Sequence, residues 1–89
     1  MKYIGLADKN GIRELYNRDE SKIESLMKTS MENNYCYFEV TLGEHSIEFL
    51  NKEKDSKYKL GFMKLLAQEL YVPKEQESLW DTIPHGLNI

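Results

Sequence analysis

Residues 35–51 read YCYFEVTLGEHSIEFLN, and the folding of this stretch decides the architecture of the chain. Up to Leu42 the pattern alternates: Cys36, Phe38, Val40 and Leu42 fall on one side, Tyr35, Tyr37, Glu39 and Thr41 on the other. A period of two is the mark of a strand. Gly43-Glu44 then places glycine first, as a type II′ hairpin turn prefers. If the chain reverses there, Val40 faces Ile47 and Phe38 faces Phe49, while Ser46, Glu48 and Leu50 join the tyrosines on the opposite side. One register accounts for the whole apolar set, and a slip of one residue would break it. The expectation is a β-hairpin whose outer face carries Tyr35, Tyr37, Glu39, Glu48 and Leu50.

Upstream, residues 2–17 (KYIGLADKNGIRELYN) read as another hairpin, because Asn10-Gly11 follows the Tyr3, Ile4, Leu6 run and both residues accept positive φ. Two registers are open. A two-residue loop at Asn10-Gly11 pairs Leu6 with Leu15 and Asp8 with Arg13; a four-residue loop pairs Tyr3 with Tyr16 and Ile4 with Leu15. Ile12, Leu15 and Tyr16 also have helical spacing, the rival reading. Residues 19–33 form a clear helix. Ile23, Leu26, Met27 and Met31 make one narrow apolar stripe, Ser21/Glu24 or Asn17/Glu20 has capping-box spacing, and Asn33-Asn34 can close the end.

Downstream, Asp55 or Ser56 caps a helix expected to run to Tyr71. Its apolar residues cover well over half the circumference, so it should touch the sheet on one side and something else on the other. Pro73 opens a final helix with Leu79, Trp80 and Ile83 in register, ended by Pro84 and Gly86. The predicted class is α+β: a four-stranded antiparallel sheet of two hairpins with two to three helices, order ββαββα(α), the helices mainly on one face.

Composition sets bounds on function. Eighty-nine residues, 40% hydrophobic and 30% charged, read as a single domain spanning 1–89. No apolar run is long enough for a membrane span, and no signal-like segment follows Met1. A lone cysteine, Cys36, fits a reducing cytoplasm. The net charge of −3 divides into −3 for residues 1–51, +3 for 52–64 and −3 for 65–89. The positive island, Lys52, Lys54, Lys57, Lys59 and Lys64, lacks arginine and is interrupted by Glu53 and Asp55. Nucleic-acid binding there would be weak.

The residues suited to chemistry are few. Cys36 sits on the predicted buried face, distant from His45, so it reads as a core thiol rather than a nucleophile. His85, between Pro84 and Gly86, reads as a turn residue. No zinc, calcium or phosphate-loop spacing occurs, so no cofactor, metal or catalytic residue is assigned. What remains is the tyrosine- and glutamate-bearing outer face, where Glu39 would oppose Glu48. The expected function is a non-enzymatic, acidic protein-binding module acting through Tyr35, Tyr37, Glu39, Glu48, Leu50 and Trp80 on a protein with a basic surface. The profile is similar in composition alone to small intracellular inhibitors such as toxin-immunity proteins and phage-encoded antagonists of host enzymes. The alternatives are a homodimer assembled through helix 58–71 and Trp80, and a weak nucleic-acid binder using Lys52 to Lys64.

Overall fold

Gly43 starts a helix instead of turning a hairpin. The computed structural model describes residues 1–83 and places β1 at Lys2–Asp8, β2 at Gly11–Asn17, α1 at Glu20–Asn33 and β3 at Cys36–Thr41. Then come α2 at Glu44–Lys52, α3 at Ser56–Leu66, β4 at Glu69–Tyr71, a 3-10 turn at Lys74–Gln76 and α4 at Glu77–Thr82. The expected ends of the last helix at Pro84 and Gly86, and the turn at His85, lie outside the described residues.

The class is α+β with a four-stranded antiparallel sheet, ordered β2-β1-β3-β4. The second hairpin is overturned. The partner of β3 on that side is the short β4, where Val40 faces Leu70, and residues 44–52 are helical. The reason is visible in the packing. As a helix this segment buries Leu50 completely and packs Ile47 beside it, while a strand would have left Leu50 in water next to Glu48. Burying such a side chain contributes about 1.5–3 kcal/mol. Glu44 in the first turn and Lys52 in the last also complement the helix dipole.

Helices cover both faces of the sheet, not mainly one. Tyr3, Ala7, Ile12, Cys36, Phe38 and Val40 point toward Leu50 of α2, Leu60 and Met63 of α3, and Ile83 after α4. On the reverse face Ile4, Leu6 and Tyr37 meet Leu26 of α1, with Ile23 and Met27 alongside. The inner strands β1 and β3 are therefore buried on both sides.

The first hairpin follows neither register along its whole length. Lys9 and Asn10 form the turn, Asp8 faces Gly11 and Ala7 faces Ile12, as the four-residue loop requires. A bulge between Leu6 and Ala7 then leaves Arg13 as the extra residue, so Ile4 faces Tyr16 and Gly5 faces Leu15. The bulge lets Ile12 and Leu15, three apart, face the same core, and it explains why a helix competed in the sequence pattern.

The caps of α1 and α3 are aspartates. The Asp19 carboxylate accepts from Ser21 N (3.0 Å), and the Asp55 carboxylate accepts from Lys57 N (2.9 Å) and Tyr58 N (3.2 Å). Asn34 closes α1 in the left-handed conformation at φ 57°.

Beyond the reach of β4, the edge of β3 is completed by a side chain. Gln76 Oε1 accepts from the Tyr37 backbone N–H (2.9 Å), and Gln76 Nε2 donates to Ser30 Oγ (3.0 Å), whose hydroxyl donates to Met27 O (2.7 Å). Gln76→Ala is expected to lower stability by about 1–3 kcal/mol, because it strands the Tyr37 N–H. Gln76→Glu should lie between the two, since it can still accept that bond; urea denaturation of the three chains checks the order.

Candidate functional site

The six residues expected to form the docking face do not share a surface. Tyr37 is 1% exposed, enclosed under α1, and its hydroxyl donates to Glu39 Oε2 (2.7 Å). Burial first, then that carboxylate, pushes the phenol well above its usual range. Glu39 is turned to Arg18, with Nε 3.8 Å away. Glu48 lies on α2, 3.8 Å from His45 Nδ1, so the expected Glu39–Glu48 opposition does not exist. Leu50 is fully buried. Tyr35 is half-buried with the Arg13 guanidinium 5.3 Å above its ring. Trp80 lies against Phe38, ring centroids 5.7 Å apart, with Lys64 Nζ over its ring, 4.5 Å from the centroid. The placements of Tyr37, Glu48 and Leu50 have two causes: residues 44–52 are helical, and α1 covers the reverse face of β3.

Cys36 is buried, and desolvation pushes its thiol up to about 11. Its Sγ donates weakly to Tyr37 O (3.7 Å) and Gln76 O (3.8 Å). A thiol held protonated and enclosed behaves as a small apolar side chain. Among the described residues no group of three or more His, Cys, Asp or Glu is placed to hold a metal ion. A notch of mixed polarity lined by Lys2, Glu39, Val40, Thr41, Glu69, Leu70 and Tyr71 has a volume of about 80 Å³.

An exposed apolar feature lies on the helices. The α3 helix ends at Leu66, not Tyr71, and buries Leu60 and Met63 against the sheet. Its opposite side presents Tyr58, Phe62, Leu65 and Leu66, with Leu65 71% exposed. From α2, Phe49 leans in edge-on to Phe62, centroids 5.1 Å apart and planes at 87°, and is itself 47% exposed. Phe49, Phe62, Leu65 and Leu66, together with His45 and Ser46, line a shallow groove of about 350 Å³ between the two helices. The breadth of the apolar arc on 58–71 was readable from the sequence, but Phe49 was not, because the hairpin reading turned it inward. Its three-residue spacing from Ser46 and the Ile47–Leu50 pair were the helical signal.

The groove has charged ends of opposite sign. Glu44 lies in the first turn of α2, beside the end of α3, and Glu48 one turn further on; Gly43 approaches Gln68, whose backbone N–H donates to Thr41 O (2.9 Å). Lys52, Lys54, Lys57 and Lys59 lie at the other end, around the α2–α3 turn. There the Glu53 carboxylate accepts from Asp55 N (3.0 Å), and the Asp55 carboxylate caps α3. Both acids of the turn are thus engaged by backbone groups.

Comparison with known protein families, with curated proteins and with solved structures returns no match for this chain.

Proposed function

We propose that the chain is a non-enzymatic protein-interaction module of the inhibitor or regulatory kind, docking through the α2–α3 groove rather than through the sheet. The observation that carries this reading is the contiguous exposure of Phe49, Tyr58, Leu65 and Leu66 around Phe62. Contiguous apolar surface rimmed by polar residues marks interaction sites, whereas single exposed apolar residues do not. The polar residues lining the groove are His45 and Ser46. One further observation favours a binding role over thiol catalysis: Cys36 is held as an enclosed thiol. A lone buried cysteine suits a reducing, cytoplasmic setting. No helix among the described residues is long and apolar enough to cross a membrane.

A photo-reactive amino acid at position 65 tests the reading, with one at Glu24 on the exposed side of α1 as reference. In the source cell, position 65 is expected to give a discrete protein adduct that Phe49→Ser in the same chain removes. Adducts of equal yield from both positions, or none from position 65, would refute the docking surface.

A further inference from the structure

We infer that the occupant of the α2–α3 groove is a second copy of this chain, related by a two-fold axis passing near Phe49 and Phe62; this rests on the groove being the docking surface. The groove lining is apolar at Phe49, Phe62, Leu65 and Leu66; along α2 Glu44 and Glu48 come first and Lys52 last, and Lys54, Lys57 and Lys59 outnumber Glu53 and Asp55 around the following turn. A two-fold rotation brings the acidic end of one copy onto the basic end of the other at both rims, and the apolar centre onto itself. That is the self-complementarity an isologous interface requires. A uniformly basic partner would match Glu44 and Glu48 but meet Lys52, Lys54 and Lys59 with like charge, at a cost in affinity. A uniformly acidic partner fails at the other end.

Area points the same way. The exposed parts of Phe49, Tyr58, Leu65 and Leu66 amount to on the order of 400 Å² per copy, about half of the ~800 Å² each partner gives a standard interface. The charged rims supply the remainder. Phe49 and Phe62 already stand edge to face, so the aromatic centre is ordered before association.

A charge-exchange experiment on the full chain decides the matter. Sedimentation velocity of the unaltered chain is expected to show a monomer–dimer equilibrium that weakens with salt. The variant Glu44→Lys/Glu48→Lys makes both ends basic, and Lys52→Glu/Lys59→Glu makes both ends acidic. Each alone should self-associate roughly tenfold or more weakly. Mixed in equal amounts, the two should form a heterodimer about as tight as the original pair, which also shows that both variants are folded. The pairing is overturned if the unaltered chain stays monomeric up to its solubility limit, or if each variant dimerises as well as the original. It is likewise overturned if mixing restores nothing. A monomer whose position 65 still crosslinks to a different protein overturns the pairing alone and leaves the docking surface standing.

Discussion

Replacing Gly11 with alanine is expected to cost about 3–5 kcal/mol, a large part of the stability of a domain this size. Two causes act together. Gly11 has φ +111°, where an L side chain is strained, and such strain is worth about 1–3 kcal/mol. A methyl group there would also run into the backbone carbonyl of Ser56 and come within 2.6 Å of Lys57 N. These are main-chain atoms at the start of α3, held by the Asp55 cap, so they cannot rotate away. Relieving the collision requires moving α3 off the hairpin. Urea denaturation should show a midpoint shift of that size, with Asn10→Ala, at the neighbouring exposed turn position, shifting it far less.

The second large effect is expected at Phe38. Its ring is fully buried, lies across Gly5 of β1 and touches Trp80 at 5.7 Å. Phe38→Ala should destabilise by about 3–5 kcal/mol, through lost burial and the cavity left under α4. Gly5→Ala probes the same contact from the other side. The added methyl would lie 2.7 Å from Phe38 Cζ and would meet the Glu14 carbonyl oxygen. Overpacking of this kind costs about 1–3 kcal/mol. The two changes should be non-additive: Gly5→Ala combined with Phe38→Leu ought to be milder than the sum of the single changes, because the ring edge that collides is gone. Strict additivity in a double-mutant cycle would contradict the packing described for this pair.

The elements legible in the sequence were those with a local signal strong enough to stand alone. The first hairpin announced itself through Asn10-Gly11, α1 through its stripe and caps, and the inward set Cys36, Phe38 and Val40 through alternation. Two failures had specific physical causes. Residues 44–52 are a short segment with three apolar residues, in which Ile47 and Phe49 satisfy a strand and Ile47 and Leu50 satisfy a helix, and such a length does not separate the two periods. The true fourth strand, Glu69–Tyr71, is only three residues long and was absorbed into the preceding helix. The one local sign of it was Pro73, which disfavours the helical conformation in the residue before it. The site was lost with the fold. Tyr37 and Leu50 read as surface only while residues 44–51 formed a strand, and the enclosure of Tyr37 depends on α1, some ten residues upstream, crossing to the reverse face.

The two outer margins of the sheet bear on how copies of this chain can meet. Along β3 the margin is occupied by three residues of β4 and then by the amide of Gln76, which fills the place of a backbone rung at Tyr37. At the other margin β2 is kinked by its bulge, carries Arg13 there, and has α3 pressed against Gly11. Open strand borders are the usual templates for fibrous growth, and bulges, charges and brevity are the usual protections. With neither border offering a straight run of free peptide groups, addition of strand upon strand is disfavoured. The pairing proposed for the helical side, by contrast, would close at two and could come apart again.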